Sequence, residues 1–298
     1  AFYPTSGGQL HDTGTLGGYK VVEVYKQGPV VVHELDKKPD FKPGQKVAGR
    51  INFDRRLQLA QHHTSTHILN GVCKRILGKH IWQAGAAKFE DKARLDITHY
   101  ENITEEQIRQ IEEQANRIIE ENRPVYKSFM PRAAAESRYG FAIYQGGVAP
   151  GKELRIVNVE GLDVEACGGT HLDLTSEAKE IKILRTSKVQ DGLIRIEFVA
   201  GKAAVDIFKK EKELVAELTD VLDCQKDQIP GRVEELFTKW KAVTKKGKKL
   251  SAEELKLSST AFYEGDAISK ACEILKTQPE HLIKTVKRFI EESGVKAK

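Results

Sequence analysis

Two short motifs, His63-Thr64-Ser65-Thr66-His67 and Cys167-Gly168-Gly169-Thr170-His171, stand far apart in the chain and constrain its fold more than any other feature. Each carries two metal-binding side chains four positions apart. On a helix, residues i and i+4 leave one face a turn apart, so His63 and His67 present their imidazoles side by side. The second motif offers a thiolate and an imidazole at the same spacing, and its glycines let the backbone bend around a bound group. Three imidazoles and a thiolate suit Zn2+, which favours these ligands in a tetrahedron. Either pair alone is common on ordinary helices and loops. Together they require a fold that closes the two segments on each other.

The chain of 298 residues is long enough for a sizeable core and roughly two domains. Its 40% hydrophobic and 31% charged residues are those of an ordinary globular protein, and mean hydropathy is −0.45. No apolar run approaches the ~20 residues that span a bilayer, and no signal-peptide pattern opens the chain. Ala1 and Phe2-Tyr3 begin abruptly, as in a piece of something longer. A net charge of +5 and a pI near 8.8 are compatible with a nucleic-acid partner without demanding one. Cys73, Cys167, Cys224 and Cys272 have no paired spacing, so the expectation is a reduced, cytoplasmic protein rather than a disulfide framework.

Residues 1–52 read as a small glycine-rich β-barrel, with turns at Thr5-Ser6-Gly7-Gly8 and Gly14-Thr15-Leu16-Gly17-Gly18 around strands Tyr19–Tyr25 and Val30–Leu35. No Gly-Lys-Ser/Thr follows these glycines, which separates them from a phosphate-binding loop. Residues 53–201 read as an α+β domain. A helix from Arg55 to about Leu77, with Leu57, Ala60, Ile68 and Val72 near helical period, carries His63 and His67 and stops at Gly78. Thr104-Glu105-Glu106-Gln107 is a capping box opening a second helix. Strands are expected over 81–88, 94–99, 125–131, 154–159, 181–185 and 193–199, the last two as a hairpin around Gln190-Asp191-Gly192.

Residues 202–298 read as an all-helical domain with an internal repeat. At an offset of 53 residues, Val221–Ile229 aligns with Ile274–Leu282, and Val233, Leu236 and Phe237 align with Val286, Phe289 and Ile290. Each repeat is a helix, a short break and a second amphipathic helix, with Lys245, Lys246, Lys248 and Lys249 between the two.

Ligand count does not say whether a zinc at this site is structural or catalytic. Four protein ligands close a tetrahedron, whereas catalysis needs an open or fifth position. His62, Thr64 and Thr66 flank the histidine pair and are placed to tune it, Thr66 as a candidate catalytic residue. The pair lacks the glutamate of H-E-x-x-H, which weighs against a zinc peptidase.

Phe2-Tyr3-Pro4-Thr5-Ser6-Gly7-Gly8-Gln9, Gln61-His62-His63-Thr64-Ser65-Thr66-His67, Cys167-Gly168-Gly169-Thr170-His171 and Gly192-Leu193-Ile194-Arg195-Ile196-Glu197 occur in that order. This series resembles the editing region of alanyl-tRNA synthetases over about residues 1–201, and free-standing AlaX-type deacylases share its two metal motifs. The helical tail is similar, more loosely, to the synthetase C-terminal region. The resemblance implies zinc-dependent hydrolysis of tRNA(Ala) mischarged with serine or glycine, with His63, His67, Cys167 and His171 as zinc ligands. It places Gln83 in the amino-acid pocket and departs from the family pattern at Ala86, where a small polar residue is usual. No adenylate-forming core precedes Ala1, so ATP-dependent activation of alanine is not expected. Partners implied are mischarged tRNA(Ala) and a second copy bound through the helical tail, with no DNA and no membrane. The alternative is a non-catalytic tRNA-binding and dimerisation module with a structural zinc.

Overall fold

A computed structural model describes residues 2–296. In chain order its elements are β1 (Gly14–Leu16), β2 (Tyr19–Gln27), β3 (Val30–Leu35), β4 (Gly49–Ile51), α1 (Phe53–Ile76), β5 (Gln83–Lys88), β6 (Ala93–Thr98), α2 (Glu105–Glu120), β7 (Val125–Pro131), α3 (Arg132–Tyr139), β8 (Glu153–Val159) and β9 (Asp163–Ala166). There follow β10 (Ile181–Gln190), β11 (Leu193–Ala200), α4 (Lys202–Leu222), α5 (Ile229–Trp240), α6 (Ala267–Leu275) and α7 (Pro279–Ser293). The chain divides into two compact units, one ending at Asp206 and the other beginning at Ile207.

The first unit is α+β, with three antiparallel sheets ordered β3-β2-β1-β4, β10-β11-β6-β5 and β7-β8-β9. The glycine-rich start is not a barrel. Its four strands form an open sheet with β3 and β4 as free edges, because so few strands, two of them three residues long, cannot curl far enough to meet. The main core lies where α1 and α2 meet the second sheet. Ile68, Leu69 and Val72 pack with Leu95 and Ile97 of β6, Ile111 and Ile118 of α2, and Ile196 and Phe198 of β11. Complete burial of such a side chain contributes about 1.5–3 kcal/mol, so this cluster dominates the unit's stability.

Helix α2 starts as its sequence predicts. Thr104 Oγ1 accepts from Gln107 N at 3.2 Å, and Gln107 Oε1 accepts from Thr104 N at 2.9 Å. Strand β9 and the long continuation of β10 to Gln190 are absent from the sequence reading. The first is only four residues and the second is largely exposed, so neither carries a clear apolar signal.

In the second unit the repeat becomes structure. Asp223 and Lys276, equivalent at the offset of 53, are both left-handed breaks, with φ +48° and +50°. Ile229, Val233 and Leu236 of α5 are buried, as are their counterparts Leu282, Val286 and Phe289 of α7. Trp240 stacks on Phe289 with ring centroids 4.1 Å apart. Lys241–Lys245 continue α5 as a π-helical turn, and Lys245, Lys246, Lys248 and Lys249 are exposed. Among the described residues, no helix is long and apolar enough to cross a membrane.

Candidate metal centre

Helix α1 supplies half of the donors. Asn52 caps it, its side chain accepting from Arg55 N at 3.2 Å. Asp54 lies in its first turn and Lys74 and Arg75 in its last, each complementing the helix dipole. The apolar spacing predicts a one-sided helix, yet every residue from Leu59 to Cys73 is buried, polar ones included. Enclosed polar groups need internal partners, and these partners build the site.

Cys167 directly follows β9, which hairpins with β8 through Ile156 and Ala166. Arg155 on β8 clamps the turn that follows, its Nη1 donating to Cys167 O at 2.8 Å and Gly169 O at 2.9 Å. The donor atoms of His63, His67, Cys167 and His171 thereby come within 4.8 Å of one another. Cys167 Sγ lies 3.3 Å from His63 Nε2 and 3.2 Å from His171 Nε2. Gly169 is required by this approach: a Cβ there would sit 2.0 Å from His63 Cε1.

Each imidazole turns Nδ1 outward to a protein partner. His63 Nδ1 is 2.7 Å from Gln9 Oε1, His67 Nδ1 is 3.2 Å from Asp163 Oδ2, and His171 Nδ1 is 3.4 Å from Thr64 Oγ1. Outer partners of this kind select the ring tautomer and direct the remaining nitrogen inward. Asp163 also receives Lys74 Nζ at 3.2 Å, and Glu165 accepts from Asn70 Nδ2 at 2.8 Å.

The ionisation states suit metal binding. Burial pushes His63 well below its usual range and His171 down to about 4, so both rings are neutral. Burial alone would raise the Cys167 thiol, but His63 and His171 reverse this and hold it well below the thiol range. Burial opposes charge on His67, yet Glu165 and Asp163 raise it. Burial and then Asp163 push Glu165 up to about 8, while His67 pulls it down. Neutral imidazoles beside a thiolate are the forms that ligate zinc; His63, His171 and Cys167 already take them and His67 gives up a proton on binding, so the donor set fits a tetrahedral Zn2+ ion.

The remaining predicted residues lie outside this cluster. Thr66 donates to the His62 carbonyl at 2.8 Å, within its own helix; Thr64, two residues earlier, is the hydroxyl that meets His171. His62 points elsewhere, with Nδ1 2.7 Å from Phe89 O and Nε2 3.1 Å from Gln58 Nε2. Among the described residues, Gln83 connects to the cluster through a chain of polar groups. Its N–H donates to Gln145 Oε1 at 2.9 Å, Asn70 Nδ2 is 3.5 Å from the same oxygen, and Asn70 reaches Glu165. Gln83 O also accepts from Gly146 N at 2.9 Å, so the glycine-rich loop after α3 folds over the start of β5.

Sequence reasoning missed Gln9, Asp163, Glu165 and Arg155. Only Gln9 had a signal, since it ends the N-terminal glycine motif. The two acids alternate with Val164 along a strand and read as ordinary surface residues.

Residues 154–197 match the family described as the threonyl and alanyl tRNA synthetase second additional domain. That segment contains Asp163, Glu165 and the Cys167–His171 motif. Over 261 residues, 86% of the chain is 48% identical to the alanine–tRNA ligase of Pyrococcus abyssi, covering 29% of that relative. The Thermococcus kodakarensis alanine–tRNA ligase is 46% identical over 86% of the chain and 28% of the relative. That of Methanosarcina mazei is 45% identical over 89% of the chain and 29% of the relative. The chain is thus related to the alanyl-tRNA synthetases, through a segment of under a third of their length that includes the second additional domain.

Proposed function

We propose that the chain hydrolyses tRNA(Ala) mischarged with serine or glycine in the cytoplasm, using Zn2+ held by His63, His67, Cys167 and His171. The observation that carries this is the convergence of those four donors within 4.8 Å in a relative of alanine–tRNA ligases. An aminoacyl ester is already activated, so its hydrolysis needs positioning, a water and stabilisation of the developing oxyanion. A bound zinc supplies Lewis acidity toward a carbonyl or a water. The protein supplies the rest. Gln83 lines the amino-acid pocket, where its amide hydrogen-bonds the serine hydroxyl. A pocket that accepts alanine rejects an added hydroxyl only weakly, and a second site that binds the hydroxyl acts as a second sieve. In this scheme Thr66 is a candidate catalytic hydroxyl beside His67, and it acts by leaving its bond to the His62 carbonyl.

The test is clearance of Ser-tRNA(Ala) by the purified chain, with zinc and after chelation. Hydrolysis should disappear on chelation, and Gln83→Ala should slow the serine ester by about 10–100-fold, the cost of a hydrogen bond to the discriminated group. Clearance no faster than buffer would end the proposal. The completeness of the tetrahedron favours a second possibility, a structural zinc in a non-catalytic tRNA-binding and dimerisation module. It requires Gln83→Ala to leave every activity unchanged while Cys167→Ala unfolds the protein.

Residues 202–298 contact the tRNA body or pair with a second copy, a role motivated by the exposed lysines between the repeats. Removing the chain after Gly201 should weaken tRNA affinity, and that affinity should fall steeply with salt in the intact chain. Unchanged tRNA affinity on truncation, with a monomeric mass for the intact chain in light scattering, removes this role.

A further inference from the structure

We infer that Gln9 is the positioning residue that fixes the tautomer and orientation of His63 for metal binding, so that the N-terminal segment is a working part of the site. This deepens the zinc proposal above and rests on it. Gln9 is fully buried. Thr170 N lies 3.0 Å from its Oε1. A backbone N–H only donates, so the amide must present its oxygen at that position. The same oxygen is 2.7 Å from His63 Nδ1, which places the ring proton on Nδ1. Nε2 keeps its lone pair, and it is this atom that faces Cys167 Sγ at 3.3 Å.

Gln9 Nε2 donates to Thr170 Oγ1 at 2.7 Å. One side chain therefore joins the ring of the helical motif to the backbone and hydroxyl of the loop motif. Its own loop has little freedom. Gly8 O accepts from Lys88 N at 2.7 Å, and Gly7 O accepts from Lys88 Nζ at 3.1 Å. At Gly8, with φ +74°, an added Cβ would lie 2.0 Å from Ala86 O. The glycine motif thus serves to bring Gln9 flush against β5 and within reach of both metal motifs.

The experiment measures metal affinity on the full chain by competition with a chromophoric chelator, with Co2+ absorption as the coordination readout. Gln9→Leu keeps the bulk and removes both polar atoms. It should weaken zinc binding by about 10–100-fold and alter the cobalt ligand-field bands, while the melting temperature of the chelator-treated protein stays near that of native. Gln9→Glu keeps the acceptor and should recover most of the affinity. A Gln9→Leu affinity within about twofold of native overturns the inference, as does a Gln9→Glu protein no better than Gln9→Leu. Should Gln9→Leu not fold, the imidazole 15N shifts of His63 in the native chain decide: a proton on Nδ1 is expected, and one on Nε2 overturns it. A native chain that binds zinc yet leaves Ser-tRNA(Ala) intact removes the deacylase and leaves the role of Gln9 standing. A native chain that binds neither metal removes both.

Discussion

Cys167→Ala is expected to lower zinc affinity by about 100–1,000-fold and to abolish clearance of Ser-tRNA(Ala) with it. The magnitude follows from the site as a whole: structural zinc contributes about 10–16 kcal/mol, so one of four donors carries roughly 2.5–4 kcal/mol, or close to two to three decades at about 1.4 kcal/mol per tenfold. Cys167 is also the only anionic donor of the set, and its sulfur faces two imidazoles at 3.3 and 3.2 Å. Removing it leaves those neutral rings without the charge that draws a cation to the cluster. The helix donors His63 and His67 remain, but a pair of imidazoles holds zinc far more weakly than a closed tetrahedron. Chelator competition measures the affinity directly. Stoichiometric zinc at native affinity in the Cys167→Ala protein would show that the metal sits elsewhere.

The second large effect comes from a residue with no functional group. Gly169→Ala should reduce zinc affinity by about 10–100-fold through displacement of a correctly chosen ligand. Its Cβ would lie 2.0 Å from Cε1 and 2.3 Å from Nδ1 of His63, closer than atoms can approach. The ring cannot simply retreat, because Gln9 holds its Nδ1 and the stretch of α1 around it, Leu59 to Cys73, is buried. Either the loop moves, carrying Cys167 and His171 with it, or the ring turns and loses its aim. Overpacking of this kind costs about 1–3 kcal/mol of stability as well. Gly168→Ala, one residue earlier, has nothing within 4 Å of the added Cβ and should bind zinc as the native chain does. Equal affinities for the two variants, measured by the same titration, would contradict the packing described for the loop.

Much of the local structure was legible from residue order. The capping box at Thr104 and Gln107, the span of β7, the hairpin at Gln190–Gly192 and the helical repeat all depend on chemistry within a few residues of each position. The left-handed breaks at Asp223 and Lys276 fall where the repeat aligns them. The barrel expectation failed because strand number and closure depend on edges that local alternation does not describe. The one-sided character expected of α1 failed for a related reason. Its polar residues lie against other parts of the chain, and periodicity cannot distinguish a solvent-facing histidine from one enclosed among partners distant in sequence.

The candidate site divides along the same line. The shared face of His63 and His67 was determined by the sequence alone, because i and i+4 lie together on a helix whatever surrounds them, whereas Cys167 and His171 stand in a loop after β9, where the same spacing fixes no common face. That the two pairs meet, that Gln9, Asp163 and Thr64 each take one ring nitrogen, and that Gln83 connects through Gln145 and Asn70 were decided by the tertiary structure. Those ring contacts join residues up to 107 positions apart, Thr64 with His171. Their existence depends on which surfaces pack together, a property of the whole folded chain that no local pattern of residues encodes.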